Sequence, residues 1–158
     1  MATFAQIKTS KRAACFPIAD IDSSFHSVAM QHASLVAFLS GMLTPEEFMD
    51  EICSEVAEFY ADLRKTKRSF ILISDGPLFV VTRSAARRLL TAVNAQQLPF
   101  DAAVYVADCI VASDDIEFED DAIRDAVFFL EDDSNRFIES RGALWTSEEI
   151  SNVLASLN

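Results

Sequence analysis

At 158 residues, half of them apolar, the chain can build one ordinary core and is too short for two comfortable domains, so a single domain over 1–158 is expected. A formal net charge of −12 sets its field against nucleic acid, anionic membrane surfaces and other polyanions, and favours a basic protein as partner. Cys15, Cys53 and Cys109 are widely spaced, odd in number and in no CxxC arrangement. They suggest neither a disulfide framework nor a zinc site, only reduced thiols.

Residues up to about Ile21 show no periodicity and contain Pro17, which predicts an irregular lead-in without signal-peptide or lipidation character. The expected compartment is the cytoplasm. The uncharged stretch Ser23 to Pro45 is long enough to cross a bilayer, but His26, Gln31, His32 and several serines interrupt it, and its apolar residues share one face. It predicts an amphipathic helix opened by Ser23 or Ser24 and stopped at Gly41. Thr44-Pro45-Glu46-Glu47 then combines a capping box with proline at the first helical position. The helix it starts should bury Phe48, Ile52, Val56, Phe59, Tyr60 and Leu63, and end in the basic run Arg64 to Arg68.

Between Ser69 and Thr82, two short runs rich in Ile, Phe and Val flank Asp75-Gly76-Pro77. That pattern predicts a β-hairpin lying on the helices. Thr82 or Ser84 opens a helix with Ala86, Leu89, Leu90 and Val93 inward, and Leu98-Pro99-Phe100-Asp101 restarts the chain into another that closes near Ser113. After the acidic segment described next, Glu131 to Ala143 should be a loop. Thr146-Ser147-Glu148-Glu149 supplies a second capping box, for a terminal helix with Ile150, Val153, Leu154 and Leu157 inward. With only three glycines and four prolines in the chain, breakers are few. The expected class is mainly α, a helical domain with one short β-hairpin at about residues 69–82.

Ala107 to Asp133 holds eleven Asp or Glu residues against the one Arg124, a local net of −10 out of −12. Ile116, Phe118, Ala122, Ile123, Ala126, Val127 and Leu130 nevertheless recur near helical spacing, so the segment should fold and carry its acids outward. Asp114, Asp115, Glu117, Glu119, Asp120, Asp121 and Asp125 are therefore the candidate partner-binding residues. Phe118 is either core or, if it projects outward, an apolar anchor among them. No phosphate-binding glycine loop, nucleophile elbow or HExxH is present, and His26 and His32 lie too far around a helix to act as a pair. The acids do not follow the calcium-loop pattern, which needs glycine at its sixth position. No catalytic residue, metal or cofactor is expected.

The segments LFVVTRSAARRLLTAV, LPFDAAVYVADCIVASDDIEFEDDAIRDAVFFLEDD and LWTSEEISNVLASL, covering about 78 to 157, resemble the C-terminal half of small bacterial immunity proteins, including those of contact-dependent growth inhibition and related polymorphic toxin systems. The similar features are a Tyr105-Val106-Ala107-Asp108 helix, an acidic turn with Phe118, the helix Ile123 to Leu130 and a closing Thr146-led helix. This chain differs in a longer, more basic loop from Asp132 to Trp145. The resemblance implies a non-catalytic cytoplasmic protein that neutralises a cognate toxin domain, for instance a nuclease whose basic cleft the acidic face would fill. The alternative is a small regulatory or adaptor domain, as a monomer or a homodimer, binding proteins through Met30, Phe38 and Phe128 or Phe129.

Overall fold

The computed structural model describes residues 29–66, 69–131 and 145–158. The lead-in to Ile21, Cys15, His26, the start of the first predicted helix, and the predicted loop from Asp132 to Ala143 lie outside the described residues. The architecture is mainly helical with a short β element, as expected. In chain order it runs α1 (His32–Ser40), α2 (Pro45–Thr66), β1 (Phe79–Val81), α3 (Arg83–Asn94), α4 (Phe100–Ala112), β2 (Ile116–Phe118), α5 (Asp121–Phe128) and α6 (Ser147–Ser156). No helix among the described residues is long and apolar enough to cross a membrane.

The helix starts follow the capping chemistry of the sequence. Thr44 Oγ1 accepts from Glu47 N, and Glu47 Oε2 accepts from Thr44 N at 2.9 Å. Thr146 and Glu149 repeat the arrangement at α6, and the side chain of Thr82 accepts from Ala85 N to open α3. The predicted first helix is shorter than its periodicity implies, because Gln31 is extended and α1 begins only at His32. Just before it, Met30 forms a parallel bridge to Ile73, donating from its N–H to Leu72 O and accepting from Ser74 N.

The β element differs from the predicted hairpin. Its two runs do not pair with each other: the second becomes β1, which pairs in parallel with β2 in the register Phe79↔Ile116, Val80↔Glu117, Val81↔Phe118. Two-residue hairpin turns require positive φ, and among the described residues only Gly41 and Gln96 have it. Gly76 serves instead as a close-approach point: a Cβ there would collide with the His32 ring, and its N–H donates to Asp115 Oδ2 at 3.1 Å. A parallel pair needs a long crossover, and α3 and α4 supply it.

Helix α4 is the core helix, buried from Ala102 through Ala107 and again at Cys109 and Ile110, with α2, α3 and α5 packed around it. The stripe Phe48, Ile52, Val56 and Tyr60 of α2 is buried as predicted, while Phe59 and Leu63 are half-buried. Helix α1 packs on α2 through Phe38 and Phe48, fully buried and stacked with centroids 4.5 Å apart. Met30 and Phe38, candidates for an exposed adaptor surface, are both fully buried, and of that set only Phe128 is exposed. Phe48→Ala removes the stacked ring from the α1–α2 contact and should lower the unfolding free energy by about 3–5 kcal/mol, a shift that urea denaturation reads directly.

Candidate functional site

The acidic segment builds its own scaffold from part of its charge. Ser113 closes α4 and its Oγ accepts from Asp115 N at 3.2 Å. Asp115 then holds β1 in place, taking Gly76 N on its carboxylate and Phe79 N on its backbone carbonyl. Glu119 donates its N–H to Val81 O, and its carboxylate accepts from Arg83 N at the first turn of α3. Asp120 caps α5, with Oδ1 accepting from Ile123 N at 2.9 Å and Oδ2 paired to Arg83 Nη2 at 2.7 Å. The Ile123 N–H, with Arg83 beside it, holds this carboxyl below the usual aspartate range.

The other four carboxylates are not built into the scaffold. Asp121 and Asp125 share Arg124, at 2.9 and 3.2 Å, while their side chains remain 86% and 70% exposed. Asp114 and Glu117 are exposed, and their carboxylates make no hydrogen bond or ion pair with any described residue. Of the predicted site residues, then, Asp115, Glu119 and Asp120 form an inner row bonded into the scaffold, and Asp114, Glu117, Asp121 and Asp125 an outer, exposed one. Phe118 is half-buried and meets the Phe128 ring edge-on at 6.2 Å. It is therefore a packing residue at the margin of the face.

Sequence reasoning missed the strand at 116–118 and, of the apolar residues beside the acids, Leu78 and Val80. Val80 lies opposite Glu117 in the parallel register and is 41% exposed, and Leu78, two residues earlier, is 61% exposed. Phe128, also 41% exposed, lies within cation–π reach of the Arg124 guanidinium. Alternation was the available signal: Ile71, Ile73, Phe79 and Val81 turn inward, whereas Phe70, Leu72, Leu78 and Val80 are exposed. Such a strip beside a charged row suits protein contact.

A second polar group is enclosed in the core. Glu55 on α2 is only 7% exposed, with Oε2 left without a partner among the described residues. Burial, then the neighbouring Glu58 and Glu51, push its carboxyl up to about 7 against the opposing hydrogen bond from Tyr105. Tyr105 is also hydrogen-bonded to the thiol of Cys109, which burial pushes well above the normal range and leaves unreactive. Cys53 is half-buried and free. Among the described residues no group of three His, Cys, Asp or Glu could hold a metal ion. No family model, curated protein or solved structure matches the chain.

The division into two rows has a direct test. Asp120→Ala should lower the urea midpoint at neutral pH, and the gap from the unsubstituted chain should narrow as pH falls below the ordinary aspartate value of 3.8 towards the lower folded-state value, where protonation removes the charged cap. Glu117→Ala should leave the midpoint unchanged or slightly raised. Glu55 has the opposite sign: it binds its proton more tightly folded than unfolded, so its contribution is fully present below about pH 4.5 and lost as pH rises through about 7. Glu55→Gln should flatten the stability profile over that window and make the chain more stable than its parent at pH 8.

Proposed function

We propose that this chain is a non-catalytic immunity protein, acting in the bacterial cytoplasm, that binds a cognate toxin domain and blocks its active site with the β2–α5 face. The observation that supports this reading best is the outer row. Asp114, Glu117, Asp121 and Asp125 stand exposed on a scaffold that the inner row holds in place, with Leu78, Val80 and Phe128 exposed among them. Among the described residues, seven carboxylates here meet only two guanidinium groups, Arg83 and Arg124. A surface with that surplus, pre-ordered before binding, gives up little entropy on association and attracts a basic surface from a distance. A nuclease cleft, basic because it holds phosphates, fits that description. The apolar residues would supply the desolvated contacts that retain the complex once formed.

The test is co-expression of this chain with the C-terminal domain encoded immediately upstream. Rescue of growth and a stoichiometric complex on co-purification are expected. Replacing Asp114, Glu117, Asp121 and Asp125 together by Lys should leave the fold intact and slow association by at least about tenfold at low salt, with a weaker salt dependence. If the upstream domain kills equally with the folded chain present, the immunity reading fails. An unchanged association rate in the four-Lys variant would reject the acidic face as the contact surface.

A further inference from the structure

The ladder between β1 and β2 leaves one side of β1 open. Phe79 N donates to Asp115 O at 2.9 Å and Val81 O accepts from Glu119 N at 3.2 Å, so the backbone groups of Phe79 and Val81 face β2. Those of Val80, between them, point the opposite way, because in a parallel pair only alternate residues bond to a given neighbour. They find no hydrogen-bond partner among the described residues. The corresponding edge of β2 is covered: Ile116 is 7% exposed and α5 packs beside that strand. Val80 and Leu78, by contrast, are exposed.

An exposed strand edge usually carries a charge, a bulge or a proline that keeps other chains from pairing with it. From Ser69 to Val81 the only charge is Asp75, and Phe79-Val80-Val81 has neither charge nor proline. Cross-strand partners share a face, so Val80 and Glu117 stand together on the outer face of the sheet, with Leu78 two residues before Val80. Val81 and Ile116 are buried on the inner face. A strand added outside β1 would lie two strand spacings, about 10 Å, from β2. A Lys or Arg on its outer face could lay its aliphatic stem over Val80 and carry its charge toward Glu117. A second copy of this chain fits that edge poorly: pairing β1 with β1 sets two acidic rows on one continuous sheet, in chains that each carry −12.

We propose that β1 is a pairing edge, to which a basic partner protein adds an extended segment hydrogen-bonded to Val80, with Lys or Arg at alternate positions reaching over Val80 to Glu117. The main chain then supplies affinity and the alternating side chains supply specificity. This inference rests on the reading of the β2–α5 face as the contact surface for a basic toxin domain, and adds the way in which the partner is held. Charge draws the partner in, and the open N–H and C=O of Val80 fix the register in which it stays.

The test is titration of the full chain with a capped seven-residue peptide alternating lysine and valine, read by calorimetry and by amide exchange at Val80. Saturable binding with Kd below about 1 mM and slower exchange at Val80 are expected, with affinity lost when glutamate replaces lysine. Val80→Pro removes an N–H that the β1–β2 ladder does not use, so the variant should fold and bind the peptide about tenfold more weakly. Of two peptides N-methylated on the lysine or on the valine amides, one should lose binding and the other keep it, since only one set of amides faces β1. No saturable binding, undiminished affinity in folded Val80→Pro, equal behaviour of the two methylated peptides, or protection of Val80 by self-association would each overturn the proposal. If Val80→Pro does not fold, the methylated pair decides. Growth rescue without peptide binding removes the pairing edge alone, and peptide binding without rescue removes the immunity reading alone.

Discussion

The parallel pairing of β1 with β2 sets the terms for the rest of the chain. A tight turn cannot join parallel strands, so the chain between Val81 and Ile116 has to leave the sheet and return, and it does so as α3 and α4. The longest buried helix, α4, is therefore part of the crossover. The pairing also determines where two helices begin: Thr82 caps α3 directly after β1, and Asp120 caps α5 two residues after β2. Two positive helix ends thus meet at the end of the sheet. Glu119 on the Arg83 N–H and Asp120 on the Ile123 N–H place negative charge where those dipoles favour it. Part of the acidity that dominates the sequence is a structural response to that geometry.

Helices with chemical start signals were legible from sequence, because a capping box acts between residues three apart and needs no tertiary partner. Thr44, Thr82 and Thr146 all cap as expected. The β element was legible as extended chain but not in its pairing. Asp-Gly between two β-branched runs satisfies the local criterion for a hairpin, whereas the groups that claim Gly76, the His32 ring and the Asp115 carboxylate, are 44 and 39 residues away in sequence. The same distance hid the strand at 116–118, which borrows its ladder from β1. Periodicity was no guide there, since Ile116 and Phe118 fit a helical stripe and a strand face equally well over three residues.

The candidate site was legible as a set of residues and not as a division of labour. A sequence shows seven carboxylates as one run. Only the fold separates Asp115, Glu119 and Asp120, which are occupied with backbone N–H groups and Arg83, from Asp114, Glu117, Asp121 and Asp125, which are not. The apolar neighbours were hidden for a related reason. Val80 joins the acids only through its register opposite Glu117, and that register depends on the parallel pairing. Glu55 is a further case: helical spacing places it within the buried arc of α2, although a carboxylate is rarely buried.

The outer row is difficult to account for as a stabilising feature. An exposed ion pair contributes about 0–1 kcal/mol, and Arg124 is divided between Asp121 and Asp125, so neither carboxylate has a full partner. Asp114 and Glu117 add like charge to the same surface and increase self-repulsion in a chain already at −12. Screening over about 8 Å at physiological salt softens that repulsion without changing its sign. A surface that costs stability, and is held in place by bonds made to different carboxylates, is understandable if its charge acts on something outside the molecule.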